Sequence, residues 1–183
     1  MPLHISRARF RHSHNICTGI VEAFACHPWF EELSFAEAAT RWVETTRRRG
    51  FHCLVATQDH RLVGAIWWDS PAISELKNER GTALAAFAVR HLERNTTLVW
   101  IRDLIVLPDR QGQGIGHQLR QKMIEHCVSK NSVLFLTRIR NDNTSMIRMN
   151  HAMGFLRSGI TVPCSLKPDV LHEYWYLLKG AFE

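Results

Sequence analysis

No apolar run in the 183-residue chain approaches the roughly 18–20 residues of a membrane-spanning helix; residues 83–89 (Ala-Leu-Ala-Ala-Phe-Ala-Val) are the longest notable stretch. The opening Met-Pro-Leu-His-Ile-Ser-Arg lacks the apolar core of a secretory signal, so none is expected. Cys17, Cys26, Cys53, Cys127 and Cys164 are odd in number and form no Cys-x-x-Cys pair, which argues against a zinc site or a disulfide framework. The eleven histidines form neither His-x-x-x-His nor His-Glu-x-x-His, so no metal is expected. Repeats and low-complexity tracts are also lacking. Together these absences predict a cytoplasmic protein with reduced thiols, no metal and no membrane.

What is present fits an enzyme-sized core. A hydrophobic content of 45% suffices for one domain over residues 1–183. The net charge of +6 and a pI near 9.4 favour acidic partners. Arg7, Arg9 and Arg11 alternate near the start, and Arg47-Arg48-Arg49 are read as closing a helix that Gly50 stops. Periodicity predicts a strand at 3–6, a helix at 15–24, and a helix from Ser34 to Arg49 opened by the capping box Ser34/Glu37. A hairpin over 51–57 and 62–69 follows. Residues 70–95 read as irregular helix interrupted by Pro71 and Gly81. A strand at 97–106, a helix from 114 to about Lys130, a strand at 132–139, a helix at 144–153 and strands near 159–163 and 173–178 complete the chain. Ile115, Leu119, Met123, Ile124 and Cys127 form the predicted apolar face of the helix after 114. This order predicts an α/β fold with a mixed sheet.

The most informative stretch is 104–116, Leu-Ile-Val-Leu-Pro-Asp-Arg-Gln-Gly-Gln-Gly-Ile-Gly. An apolar strand ends at Val106, Pro108 breaks it, and Gly112, Gly114 and Gly116 open an amphipathic segment. A strand, glycine-rich turn and helix aim backbone N–H groups at one anion, and the helix N-terminus adds favourable partial charge. A phosphate or diphosphate binder is expected. The Walker pattern requires Lys and then Ser or Thr after the last glycine, where His117-Gln118 stand; a Rossmann unit requires an acidic residue further on than Glu125.

Gln111-x-x-Gly114-x-Gly116, preceded by Val106-x-Pro108, resembles the diphosphate loop of the GCN5-related N-acetyltransferases (GNATs). A second stretch, Asn143-x-x-Met146-x-x-Met149-Asn150-x-x-x-Gly154-Phe155, resembles that family's last helix. The resemblance covers nearly the whole chain except an insertion at about 70–96, expected near the acceptor side. It implies a mixed, mostly antiparallel central sheet flanked by helices, with acetyl-CoA as co-substrate. The cofactor contacts it implies are Gln111, Gly112, Gln113, Gly114, Ile115, Gly116 and His117 in the loop, with Asn143 on the pantetheine arm. It also implies backbone N–H groups of Leu104, Ile105 and Val106 at the pantetheine and thioester. Asn143 is equally an N-cap residue. Asn150 stands where many members carry a Tyr general acid, and an amide cannot ionise in that role; Tyr174 and Tyr176 are candidate substitutes.

An acceptor ammonium with a pKa near ~10 must be deprotonated before attack. Asp103, in an otherwise apolar strand, is the candidate base or ammonium anchor; the alternative is a structural ion pair with Arg102, Arg138 or Arg140. The expected activity is direct acetyl transfer to a small-molecule or peptide amine, without an acyl-enzyme. A CoA-binding module with weak turnover and an RNA-associated acetyltransferase are the alternatives. Nucleic acid is disfavoured as a partner, and a homodimer stays open.

Overall fold

The computed structural model describes residues 2–93, 95–128, 132–165, 167 and 169–180. Seven strands hydrogen-bond in the order β1-β2-β3-β4-β5-β7-β6. Their elements are β1 His4–Arg7, α1 Ser13–Phe24, α2 Phe35–Thr46, β2 His52–Gln58, β3 Arg61–Asp69, α3 Ile73–Arg80, α4 Thr82–His91 and β4 Thr96–Val106. After them come α5 Ile115–Cys127, β5 Ser132–Arg140, α6 Thr144–Ala152, β6 Leu156–Pro163 and β7 Leu171–Lys179. Pairs β1–β2, β2–β3, β5–β7 and β6–β7 are antiparallel, while β4–β5 is parallel, giving the expected mixed, mostly antiparallel sheet. The chain divides into two compact units, the described residues of Met1–Asp69 with Arg102–His126, and those of Ser70–Ile101 with Cys127–Glu183.

In the first unit, α1 and α2 bury Ile16, Cys17, Ile20, Ala38 and Trp42 against Cys53, Val55, Ala65, Trp67 and Ile105. The α2 start is the predicted capping box: Ser34 Oγ accepts from the Glu37 N–H at 3.2 Å, and the Ser34 N–H donates to Glu37 Oε2 at 2.8 Å. The helix ends at Thr46, however. The Arg47–Arg49 triplet therefore lies in the turn beyond it rather than in its last helical turn. The β2–β3 turn is tight, with Asp59 and His60 at φ 52° and 61°, the conformation of a two-residue hairpin loop.

Helix α5 rests on this unit through a missing side chain. A Cβ on Gly64 would lie 2.9 Å from the Ile105 carbonyl oxygen and 3.2–3.3 Å from Leu119 and Ile115. The buried face of α5 is Ile115, Leu119, Arg120 and Met123. Ile124 and Cys127, expected on that face, are only half-buried, and Arg120 is wholly buried. The predicted extension of this helix over Ser129 and Lys130 lies outside the described residues.

In the second unit, the 70–96 segment becomes two helices separated by Gly81 at φ 92°. Their inner faces belong to the core. Leu76 of α3 and Leu84, Phe87 and Ala88 of α4 bury Leu98, Trp100, Leu134, Leu136 and Tyr174. Tyr174 is 2% exposed in this core, and the Tyr176 ring packs against Phe87 at 5.0 Å.

Gly64→Ala is expected to destabilise the protein by about 1–3 kcal/mol, because backbone must move to admit the methyl. Gly180→Ala, where an added Cβ meets nothing within 4 Å, is expected to be near neutral. Urea unfolding of both variants checks the difference.

Candidate functional site: an anion cradle on the strand β4–helix α5 turn

The loop grows from β4 in the first unit. The Leu107 N–H bonds the Val63 carbonyl at 3.0 Å, which ties the strand end to β3. Pro108 then opens a single 3-10 turn, Pro108–Arg110, where its missing N–H costs nothing. The Gln111 side chain folds back, its Nε2 donating to the Val106 carbonyl at 3.2 Å, and Gln113 Nε2 donates to the Asp109 carbonyl at 3.4 Å. Gly112 and Gly114 both take φ 76°, the left-handed region open to glycine, and an added Cβ at either would meet nothing within 4 Å.

The first helical bond of α5 runs from the Gln118 N–H to the Gly114 carbonyl at 3.1 Å. The N–H groups of Ile115, Gly116 and His117 therefore precede the intrahelical ladder and carry the positive end of the dipole. Gln111, Gly112, Gln113, Gly114 and His117 are exposed, Gly116 is half-buried and Ile115 is buried. Side chains thus tighten the loop, and no atom lies within 4 Å of where a Cβ on Gly112 or Gly114 would stand. Such a cradle suits a diphosphate.

Asp103 is half-buried on β4, next to Arg102, and side chains of adjacent strand residues point to opposite faces. Arg102 is bound by Asp69: its Nε and Nη2 both lie 2.7 Å from Asp69 Oδ2, with side-chain exposures of 6% and 1%. Arg140 is likewise engaged, by Asp142, at 2.9 Å from Nε and 2.5 Å from Nη2. Leu104 and Val106 are half-buried and Ile105 is buried. The parallel ladder with β5 takes in residues 96–101 of β4, so residues 103–106 come after it.

Asn143 and Asn150 belong to the second unit. Asn143 is the N-cap of α6, its Oδ1 accepting from the Met146 N–H at 3.2 Å. Asn150 has no exposed surface, and neither amide atom has a hydrogen-bond partner among the described residues. Its carbonyl closes the helix end by accepting from Phe155 and Met153, with Gly154 at φ 78°. Met146, Met149 and Met153 are half-buried and Phe155 is buried.

Two features escaped sequence reasoning. Arg120 is fully buried on α5, and burial pushes its pKa down to about 9. A polar residue next to Leu119 reads as the solvent face, and no sequence signal marks it otherwise. The second is an aromatic group in which His52 stacks on Trp68 at 5.5 Å and meets His126 at 5.5 Å, while Arg7 Nη2 lies 3.1 Å from His52 Nδ1. Burial, then His126 and Arg7, holds the His52 pKa below its ordinary value.

The family model for the acetyltransferase (GNAT) family matches residues 18–155. The chain belongs to the GNAT acetyltransferase family. Solved acetyltransferase structures agree in fold. The ribosomal-protein-alanine N-acetyltransferase of Brucella melitensis is 17% identical with a TM-score of 0.69, covering 96% of this chain and 99% of that one. The ribosomal-protein-S18-alanine N-acetyltransferase of Escherichia coli is 13% identical with a TM-score of 0.66, covering 100% and 97%. The protein yncA of Salmonella typhimurium, solved with its cofactor acetyl-CoA, is 15% identical with a TM-score of 0.65, covering 99% and 95%. No curated protein sequence matches the chain. Among the described residues no helix is long and apolar enough to cross a membrane, and no group of three or more His, Cys, Asp or Glu is placed to hold a metal.

Removing the guanidinium from a buried carboxylate is expensive, so Arg102→Met is expected to cost about 3–5 kcal/mol. Most of that cost should return in the double variant Arg102→Met/Asp69→Leu, where no buried charge remains from the pair. Urea denaturation of the two variants measures the difference.

Proposed function

We propose that this GNAT domain transfers the acetyl group of acetyl-CoA to a primary amine by direct attack, with no acyl-enzyme. The observation that supports this most is the cradle itself: two glycines at φ 76°, with open space where their Cβ atoms would be, lead into the N–H groups that start α5. The loop residues Gln111, Gly112, Gln113, Gly114, Ile115, Gly116 and His117 would hold the diphosphate through backbone N–H groups, with charge-assisted bonds. The co-substrate supplies the activated acyl group; the chain's residues position it and handle the amine's proton.

The Asn143 Oδ1 already accepts the helix-cap bond, so its Nδ2 would be the donor offered to a pantetheine arm. Leu104, Ile105 and Val106 lie beyond the ladder with β5, and their N–H groups are the candidates to bind pantetheine and polarise the thioester carbonyl. Asp103 takes the proton from the acceptor ammonium, or anchors that ammonium while solvent takes it; the neutral amine then attacks the carbonyl carbon, the carbon–sulfur bond breaks, and the nitrogen's second proton passes to solvent or to the departing thiolate. Juxtaposition of amine and thioester supplies much of the rate. Asn150 offers no ionisable proton and is enclosed, so the thiolate leaves without help from it. The acceptor class is a small-molecule or peptide amine. The second reading, a CoA-binding module with weak turnover, is favoured by that same enclosed amide at the position where relatives carry Tyr.

Two outcomes test the proposal. Gly114→Val forces a β-branched residue to φ 76° and fills the space before the cradle. It should weaken acetyl-CoA binding at least tenfold, since charge-assisted hydrogen bonds contribute about 1.5–3 kcal/mol each. Isothermal titration of the folded variant reads this, and parent-like affinity removes the CoA assignment. Asp103→Asn is expected to lower kcat by about 10²–10⁴-fold if the carboxylate is the base, with the loss shrinking at high pH as free amine accumulates. An anchoring role raises the amine KM instead. A pH–rate profile that overlays the parent takes Asp103 out of the mechanism, and binding without thiol release for any amine in a panel selects the second reading.

A further inference from the structure

The alternating arginines near the start of the chain have no part in that mechanism. β1 ends at Arg7, a 3-10 turn follows over Phe10–His12, and α1 begins at Ser13. A cavity of about 600 Å³ opens there, in the first unit, lined by Arg7, Arg9, Arg11, His4, His12 and His60. Asn15 and Thr57 add neutral hydrogen-bonding groups, and Leu62 is the apolar wall. No carboxylate lines it among the described residues, and none of residues 103–117 does.

A volume of several hundred Å³ is that of a small-ligand site rather than a flat contact surface. Three guanidinium groups are permanently charged and present forked donors that match phosphate oxygens. The field inside is positive enough to act on a neighbour: burial, then Arg11 and Arg9, holds His12 below its ordinary pKa. Both ring nitrogens of His12 face donors, the Arg9 N–H at 2.9 Å from Nδ1 and Arg11 Nε at 3.4 Å from Nε2. A neutral imidazole has one acceptor nitrogen, so the longer contact is a donor facing a donor. An anion between Arg11 and His12 would satisfy both.

We propose that this cavity binds a phosphorylated small molecule bearing two or more phosphate charges, at a site separate from the diphosphate loop. The Arg9 and Arg11 side chains are its principal ligands, with His12 and His60 completing the shell. Both arginines are exposed, so their replacement leaves the core untouched.

The test is isothermal titration with tripolyphosphate at fixed ionic strength, on the parent, Arg9→Gln/Arg11→Gln, Arg9→Lys/Arg11→Lys and Gly114→Val. The parent should bind, the Gln pair should lose about tenfold or more in affinity, and the Lys pair should retain more of it than the Gln pair. Circular dichroism confirms that each variant is folded. Absence of binding to the parent, or equal affinity in the Gln pair, overturns the proposal. So does a loss confined to Gly114→Val, which would put the anion on the diphosphate loop. A single-stranded RNA oligonucleotide that binds more tightly than tripolyphosphate, and is lost in the Gln pair, overturns the small-molecule class in favour of nucleic acid.

Discussion

The close approach at Gly64 governs the first unit. With hydrogen in place of a methyl, the Ile105 carbonyl and the Ile115 and Leu119 side chains all reach the β3 backbone. One end of β4 and one end of α5 are thereby held to the same point on β3, and the ten-residue range from Val106 to Ile115 must turn between two fixed ends. Pro108 and the two left-handed glycines are the means by which a short loop does so. The direction of the first α5 N–H groups follows from that packing, so the cradle is set by the core beneath it as much as by its own glycines.

Much of this was legible in the sequence, for local reasons. Ser34 and Glu37 satisfy each other's backbone, and Asp59-His60 occupies a two-residue hairpin turn; both depend on residues a few positions apart. The β4–α5 loop combines a strand end, a Pro and spaced glycines, each with its own conformational reason. Where the reading failed, tertiary contacts decided. Arg47–Arg49 looked like a helix end because Gly50 could stop a helix, yet α2 stops at Thr46. The buried face of α5 turns toward Arg120 because the surface it meets requires that face, and α5's own pattern of Ile124 and Cys127 does not reveal it. The complete enclosure of Asn150 likewise depends on packing that no spacing encodes.

The charged residues along β4 divide by alternation. Arg102 is drawn into a buried pair with Asp69, which gives that guanidinium a structural occupation. Asp103, one residue on, faces the other way and stays half-buried, within reach of solvent. A strand can thus carry a buried ion pair and a half-buried acidic residue on consecutive positions, because the pleat separates their environments. Both charges stand in an apolar strand, and the structure shows which carboxylate holds Arg102.

The helices α3 and α4 carry a consequence for how this chain can change over time. In the sequence, residues 70–96 read as an insertion near the acceptor side. Leu76, Leu84, Phe87 and Ala88 nevertheless roof Trp100, Leu98 and Leu136, and close-packed roofs tolerate few changes of volume. Change is tolerated best on the outer helix faces, at exposed residues such as Lys77, Asn78 and Arg90. The segment can diversify its chemistry only by changing charges on a fixed frame, not by changing its length or path.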